Sequence, residues 1–299
     1  MTKHYSHGKL LLTGEYMVLR GAEAFAIPTK MGQLLEFEPN DSKTLNWESW
    51  DHKNQLWFTA CLDILDFNIS NTNDSHIARR LVQILKATRN QKNNFLGKNG
   101  GTVKTHLEFD RYWGLGTSST LISNIAQWSQ TNPYKLLKNS FGGSGYDIAC
   151  ATAKSPLIYR KHKLDPKIKP CEFNPPFRSS LYFVYLNQKK NSREAIERFK
   201  KQNINEEQIN YASSLTREII QANTLSEFDR LIKDHESFIS KILKEVPVKE
   251  KQFPDFQGAI KSLGAWGGDF VLATGGKNTP KYFKNKGFDV VMAYEDILL

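Results

Sequence analysis

The sequence predicts a mixed α and β protein built as two domains, and three observations lead there. The first sixty residues read as short strands separated by turns. Later segments carry apolar residues at helical spacing. A basic stretch over residues 160–178, with prolines at 166, 170, 175 and 176, marks the boundary between them.

In chain order, Lys9–Leu12 is a short apolar strand that turns at Gly14-Glu15-Tyr16. Leu34–Glu38, Trp47 and Trp57-Phe58 belong to further strands. Ile77, Leu81, Ile84 and Leu85 predict a helix whose start Asp74 or Ser75 caps. Val103, Thr105, Leu107 and Phe109 alternate with polar residues and predict a strand. That strand runs into Gly114-Leu115-Gly116-Thr117-Ser118-Ser119 and then into a helical pattern. A glycine turn opening into a helix is either a phosphate cradle or an ordinary capped helix start. Gly142-Gly143-Ser144-Gly145 delivers one acid, Asp147, onto a run of small residues; that acid is either a catalytic group or a cap. Ser192 is expected to cap a helix, and helices follow over 206–222 and 225–246. Thr224 and Glu227 have capping-box spacing. His235 and Glu236 are expected on the exposed side of the second of these helices. A third glycine turn, Gly264-Ala265-Trp266-Gly267-Gly268-Asp269, precedes the strand Phe270–Ala273.

With 41 basic and 31 acidic residues the net charge is +10, which favours polyanions among the partners. A nucleic-acid role would rest on Lys189–Lys201, where the single aromatic, Phe199, falls with Ala195 and Ile196 on the apolar face of the expected helix and no run of stacking aromatics accompanies the lysines. Cys61, Cys150 and Cys171 form no C-x-x-C pair, so neither a zinc site nor a disulfide framework is indicated. The first residues lack the apolar core of a signal peptide, and no apolar run approaches a membrane span. The expectation is a reduced, cytoplasmic protein.

Taken together, the glycine turns resemble the motifs of the GHMP kinases, in the mevalonate and phosphomevalonate kinase-like branch. His7–Val18 resembles the first motif, Asp110–Ser119 the second, Gly143–Ala149 the acid-bearing loop and Lys261–Asp269 the third. The resemblance implies two α+β domains. Residues 1–165 would be an ATP-binding domain like ribosomal protein S5 domain 2, and residues 175–299 a ferredoxin-like domain. It implies an ATP- and Mg2+-dependent kinase of a small molecule, with mevalonate or phosphomevalonate leading, acting as a monomer or homodimer without nucleic acid or membrane. Asp147 is then the catalytic base and Lys9 its paired cation. Residues 114–119 with Gly267 and Gly268 hold the nucleotide, Ser118 is the metal ligand, and Glu15, Tyr16, Ser144 and Trp266 lie on the substrate side. Three departures from the family pattern stand out: Asp110 for proline, Leu263 for serine and Trp266 for glycine. The last two keep open a second reading, a protein of this fold that binds ligand without turnover.

Overall fold

The computed structural model describes residues 1–162, 165–188 and 192–299, the side chains of 192–195 excepted. Lys189 and Lys190, and the cap expected from Ser192, lie outside the described residues. The chain forms two compact units: 1–8, 31–111 and 115–152 in the first, 9–30, 112–114 and 153–299 in the second.

The first unit is a sheet with helices packed on it. Its elements are β1 (Thr2–Thr13) and β2 (Glu23–Pro39), each of which has residues in both units, then β3 (Thr44–Trp50), β4 (Leu56–Asp63), β5 (Ile69–Thr72), α1 (Ser75–Gln91), β6 (Gly101–Leu107), α2 (Thr117–Ser129), α3 (Pro133–Ser140) and α4 (Tyr146–Ala151). The strands run in the order β5-β4-β3-β6-β2. The β3–β6 pair is parallel, and β4, β5 and α1 make the crossover that a parallel pair requires. The alternation expected in β6 holds, with Val103, Thr105 and Leu107 buried and Lys104 exposed. Trp47, Phe58, Leu81, Leu85, Val103, Ile122, Ile125 and Ile148 share one core. Asp74 caps α1, its carboxylate accepting from the His76 and Ile77 amides at 2.9 and 3.0 Å.

The second unit contains β7 (Leu157–Arg160), β8 (Lys167–Pro170), β9 (Leu181–Tyr185), α5 (Ser192–Lys200), α6 (Glu206–Gln221), α7 (Leu225–Leu243), α8 (Val248–Gln252), β10 (Ile260–Ser262), β11 (Phe270–Thr274), α9 (Thr279–Asn285), β12 (Val291–Ala293) and α10 (Tyr294–Ile297). Antiparallel pairing in the order β10-β11-β9-β12 makes a four-stranded sheet. The basic, proline-rich stretch carries a strand: β8 pairs with β7, every residue of it is exposed, and Pro170 ends it. An edge strand tolerates a proline because its missing N–H would have faced solvent. Thr224 Oγ1 accepts from the Glu227 amide, but the Glu227 carboxylate accepts from the amide of Asn223 rather than that of Thr224, so the expected box closes one residue early. Residues 9–30 belong with this unit because α6 is tied to them. Thr13 and Thr216 share a hydroxyl hydrogen bond of 2.8 Å, and Arg217 reaches Glu23 at 2.9 Å. Among the described residues, no helix is long and apolar enough to cross a membrane.

Candidate active site

In the first unit the site is built on two helix starts. Gly116 is the N-cap of α2 in the left-handed region, at φ 101°, and no side chain caps the helix. The opening N–H groups of a helix have no partner within it and carry the positive end of its dipole. Two hydroxyls beside them are turned inward: Ser119 Oγ and Thr120 Oγ1 donate to the Gly116 carbonyl at 2.9 and 3.0 Å. Ser118, which precedes them, is exposed, while Leu115 is buried and anchors the turn. The second start is α4, where Gly145 takes φ 92° at the N-cap and Asp147 sits in the first turn. Asp147 Oδ1 accepts from the Ile148 amide at 3.1 Å. The buried Ile148-Ala149-Cys150-Ala151 run that follows is small enough for α4 to pack closely on α2. Ser144 precedes Gly145 and is half-buried.

In the second unit Lys9 Nζ donates to the Gly114 carbonyl at 2.7 Å. Gly114 is at φ 69°, and a side chain there would collide with the Asp269 carboxylate, so only glycine serves. Gly267 and Gly268 lie in the turn between β10 and β11. Glu15 and Tyr16 are buried, as is Trp266, which is 1% exposed. Tyr16 and Trp266 belong to one apolar cluster with Met17, Phe199, Ile239 and Ile242.

Glu15 is ion-paired with Lys261, and both are buried. Lys261 Nζ also donates to the Ser262 carbonyl at 2.8 Å. His235 Nε2 accepts from the Gly14 amide at 3.2 Å and stands 3.4 Å from Glu15 Oε2. Glu236 Oε1 accepts from Ser262 Oγ at 2.6 Å, and Glu236 Oε2 accepts from Trp266 Nε1 at 3.1 Å. One ammonium thus serves two buried carboxylates. Burial pushes Glu15 up to about 7 against the pull of Lys261. It raises Glu236 as well, although Lys261 and the donors from Ser262 and Trp266 oppose it. Burial, with the neighbouring Lys261 charge, holds His235 well below the usual imidazole range.

No protein-family model matches the chain, and no curated protein matches it. Solved structures do. The Streptococcus pneumoniae phosphomevalonate kinase in complex with phosphomevalonate and AMPPNP aligns with a TM-score of 0.71 at 16% identity, over 98% of this chain and 100% of that one. The L. major mevalonate kinase in complex with R-mevalonate aligns with a TM-score of 0.68 at 16% identity, over 98% and 95% of the two chains. The Lactococcus lactis galactokinase complexed with galactose aligns with a TM-score of 0.68 at 12% identity, over 97% and 92%. The chain has the fold of the GHMP kinases.

Within this GHMP fold the sequence-predicted residues fall into two sets. Leu115 to Ser119, Ser144 and Asp147 lie at the starts of α2 and α4, two helices of the first unit that pack on each other. Lys9, Gly114, Glu15, Tyr16, Trp266, Gly267 and Gly268 belong to the second. The expectation that His235 and Glu236 are exposed is wrong: His235 is fully buried and Glu236 is 4% exposed. The signal was present in α7, since Phe228, Leu231, Ile232, Ile239 and Ile242 define a buried stripe that passes through positions 235 and 236. The polarity of the two side chains outweighed their period.

The linkage signs of this cluster oppose one another. Glu15 is raised in the fold, so its contribution to stability is complete below the unfolded value of 4.5 and is lost as pH rises through about 7. His235 is lowered, so its contribution is present above 6.5 and is lost as pH falls. In a His235→Gln variant the stability relative to wild type should therefore rise by about 1.4 kcal/mol per pH unit below 6.5. Urea unfolding from pH 7.5 to 5.0 measures it; a pH-independent difference would mean that His235 titrates alike in the folded and unfolded chain.

Proposed function

We propose that this protein is a GHMP-type kinase that transfers the γ-phosphoryl group of ATP to a hydroxyl or phosphate of a small metabolite. The observation that carries the reading is the start of α2, a glycine-led, uncapped helix N-terminus with an exposed hydroxyl at Ser118. Such a start accepts a polyphosphate on its backbone N–H groups. Among the described residues no group of three or more His, Cys, Asp and Glu could hold a metal ion. A magnesium ion would then rest on the Ser118 hydroxyl and on oxygens brought by the nucleotide, a donor set that suits an ion keeping most of its waters. Bound there, it would neutralise charge developing on the phosphates.

The protein's own part is positioning and proton handling. Thr117, Ser118 and Ser119 hold the phosphates through backbone N–H, with Gly114, Leu115 and Gly116 shaping the turn. Lys9 keeps the Gly114 carbonyl in place and is the proposed second catalytic group, stabilising charge on the transferring oxygen. Asp147, half-buried in the first turn of α4, is the group assigned to accept the proton of the substrate hydroxyl. The phosphomevalonate and mevalonate kinases among the similar structures favour an isoprenoid acid as acceptor, and the galactokinase keeps a sugar in view. Gly267 and Gly268 would complete the nucleotide side; Glu15, Tyr16, Ser144 and Trp266 are assigned to the substrate side, Glu15, Tyr16 and Trp266 as buried supports rather than open surface. The domain division at residues 165–175, the S5-like and ferredoxin-like names and the monomer or homodimer state belong to this reading.

The test is a panel of mevalonate, phosphomevalonate, hexoses and amino-alcohols with purified protein and γ-labelled ATP. Label transferred to one acceptor supports the kinase. AMPPNP bound with no transfer to any acceptor would favour the second reading, a binder, which the buried Trp266 in place of a glycine recommends. Ser118→Ala should raise the magnesium-ATP requirement about tenfold or more while the unfolding midpoint stays put, because an exposed metal-ligating hydroxyl contributes little to folding. A variant that unfolds early yet binds AMPPNP normally would reduce Ser118 to a helix-start residue.

A further inference from the structure

The turn between β10 and β11 holds three glycines and one tryptophan. Glycine-rich turns are costly to order, because each glycine loses more backbone freedom than any other residue. Trp266 itself is at φ 23°, outside the regions that a bulky side chain favours. Strain of this kind persists only where the surroundings over-determine it. Here they do. The indole is buried among Tyr16, Met17, Phe199 and Ile239, and its Nε1 donates to Glu236 Oε2. The other end of the turn is held by the same side chain: the Ser262 amide donates to both Glu236 oxygens at 3.1 and 3.2 Å, and Ser262 Oγ donates to Oε1. The Leu263 amide closes the hairpin on the Phe270 carbonyl at 3.1 Å.

We propose that Glu236 of α7 is a positioning residue: it latches the 263–269 turn by holding Ser262 at one end and the Trp266 indole in the middle, so that Gly267 and Gly268 are presented in one conformation. The nucleotide-facing half of this inference rests on the kinase reading above. Trp266 thereby takes the place of loop flexibility. A glycine at this position would leave more backbone freedom to be lost when a ligand arrives, whereas this turn is ordered beforehand by a carboxylate on a neighbouring helix. The three groups that reach Glu236, the Ser262 amide, the Ser262 hydroxyl and the Trp266 indole N–H, all donate to it in four contacts, an arrangement that suits two carboxylate oxygens better than an amide. In Glu236→Gln the NH2 group must face one of these donors, and one contact is lost.

Two variants test the latch, Glu236→Gln and Trp266→Phe, the second keeping an aromatic ring in the cluster while removing the indole N–H. Hydrogen exchange is read at the Ser262 and Leu263 amides of the ligand-free protein, with α1 as the internal control for an intact fold. Each variant should speed exchange at these amides by about 10- to 100-fold, the range that one charge-assisted hydrogen bond spans in an opening equilibrium. The double variant should exceed the faster single variant little, because both break one latch. With the strain at Trp266 no longer opposed, the latched form becomes the minor one, and AMPPNP affinity should fall about tenfold by the competent fraction. Unchanged exchange in both variants overturns the latch. Faster exchange with unchanged AMPPNP affinity overturns the positioning role. Faster exchange in a protein that never binds AMPPNP upholds the latch and removes the kinase reading.

Discussion

Lys261→Met should destabilise the protein at pH 9, well above the value of about 7 at which Glu15 takes up a proton, by about 3–5 kcal/mol, the range for breaking a buried ion pair from one side. Lys261 is 1% exposed and its partner Glu15 is fully buried, so neither can turn to water when the other is removed. The loss reaches beyond Glu15, because the same ammonium also draws down the buried Glu236 carboxyl. Methionine matches the length of the lysine stem, so the change removes charge and leaves packing largely intact. The double variant Glu15→Gln with Lys261→Met should recover most of the loss, since replacing both members of a buried pair is often near neutral. Guanidinium unfolding of the four proteins in the cycle gives the coupling energy. A single Lys261→Met variant within about 1 kcal/mol of wild type would show that the pair is not a determinant of the fold.

Asp147→Asn should cut turnover by about 10²-fold or more, the usual contribution of a general base, while AMPPNP affinity changes little. The amide oxygen of asparagine can still accept from the Ile148 amide, so the first turn of α4 keeps its geometry and loses only the proton acceptor. Lys9→Met should lower turnover too, and the double variant should lose less than the two effects summed if the groups serve one step. Single-turnover kinetics with γ-labelled ATP on the acceptor found in the panel separates chemistry from binding. If Asp147→Asn instead lowers the unfolding midpoint and leaves turnover intact, Asp147 is a helix-start acid and the base lies elsewhere.

What the sequence by itself determined is local. Asp74 at the start of α1, the alternation through Val103, Thr105 and Leu107, and glycines at φ 101° and 92° before α2 and α4 are decided by residues a few positions apart. Backbone capping, pleat and left-handed turns act over that distance, which is why the two helix starts of the candidate site were legible. The tertiary structure alone decided the charge pairing. Glu15 looked like a residue open to substrate, and its partner Lys261 lies 246 positions away in the chain. His235 and Glu236 were read by polarity as surface residues; the packing of α7 puts them inside, where Gly14, Ser262 and Trp266 supply their partners. A buried charge is admissible only where other segments bring it donors or a countercharge. No window of sequence contains those segments, so the location of the polar core could be known only once the chain had folded around it.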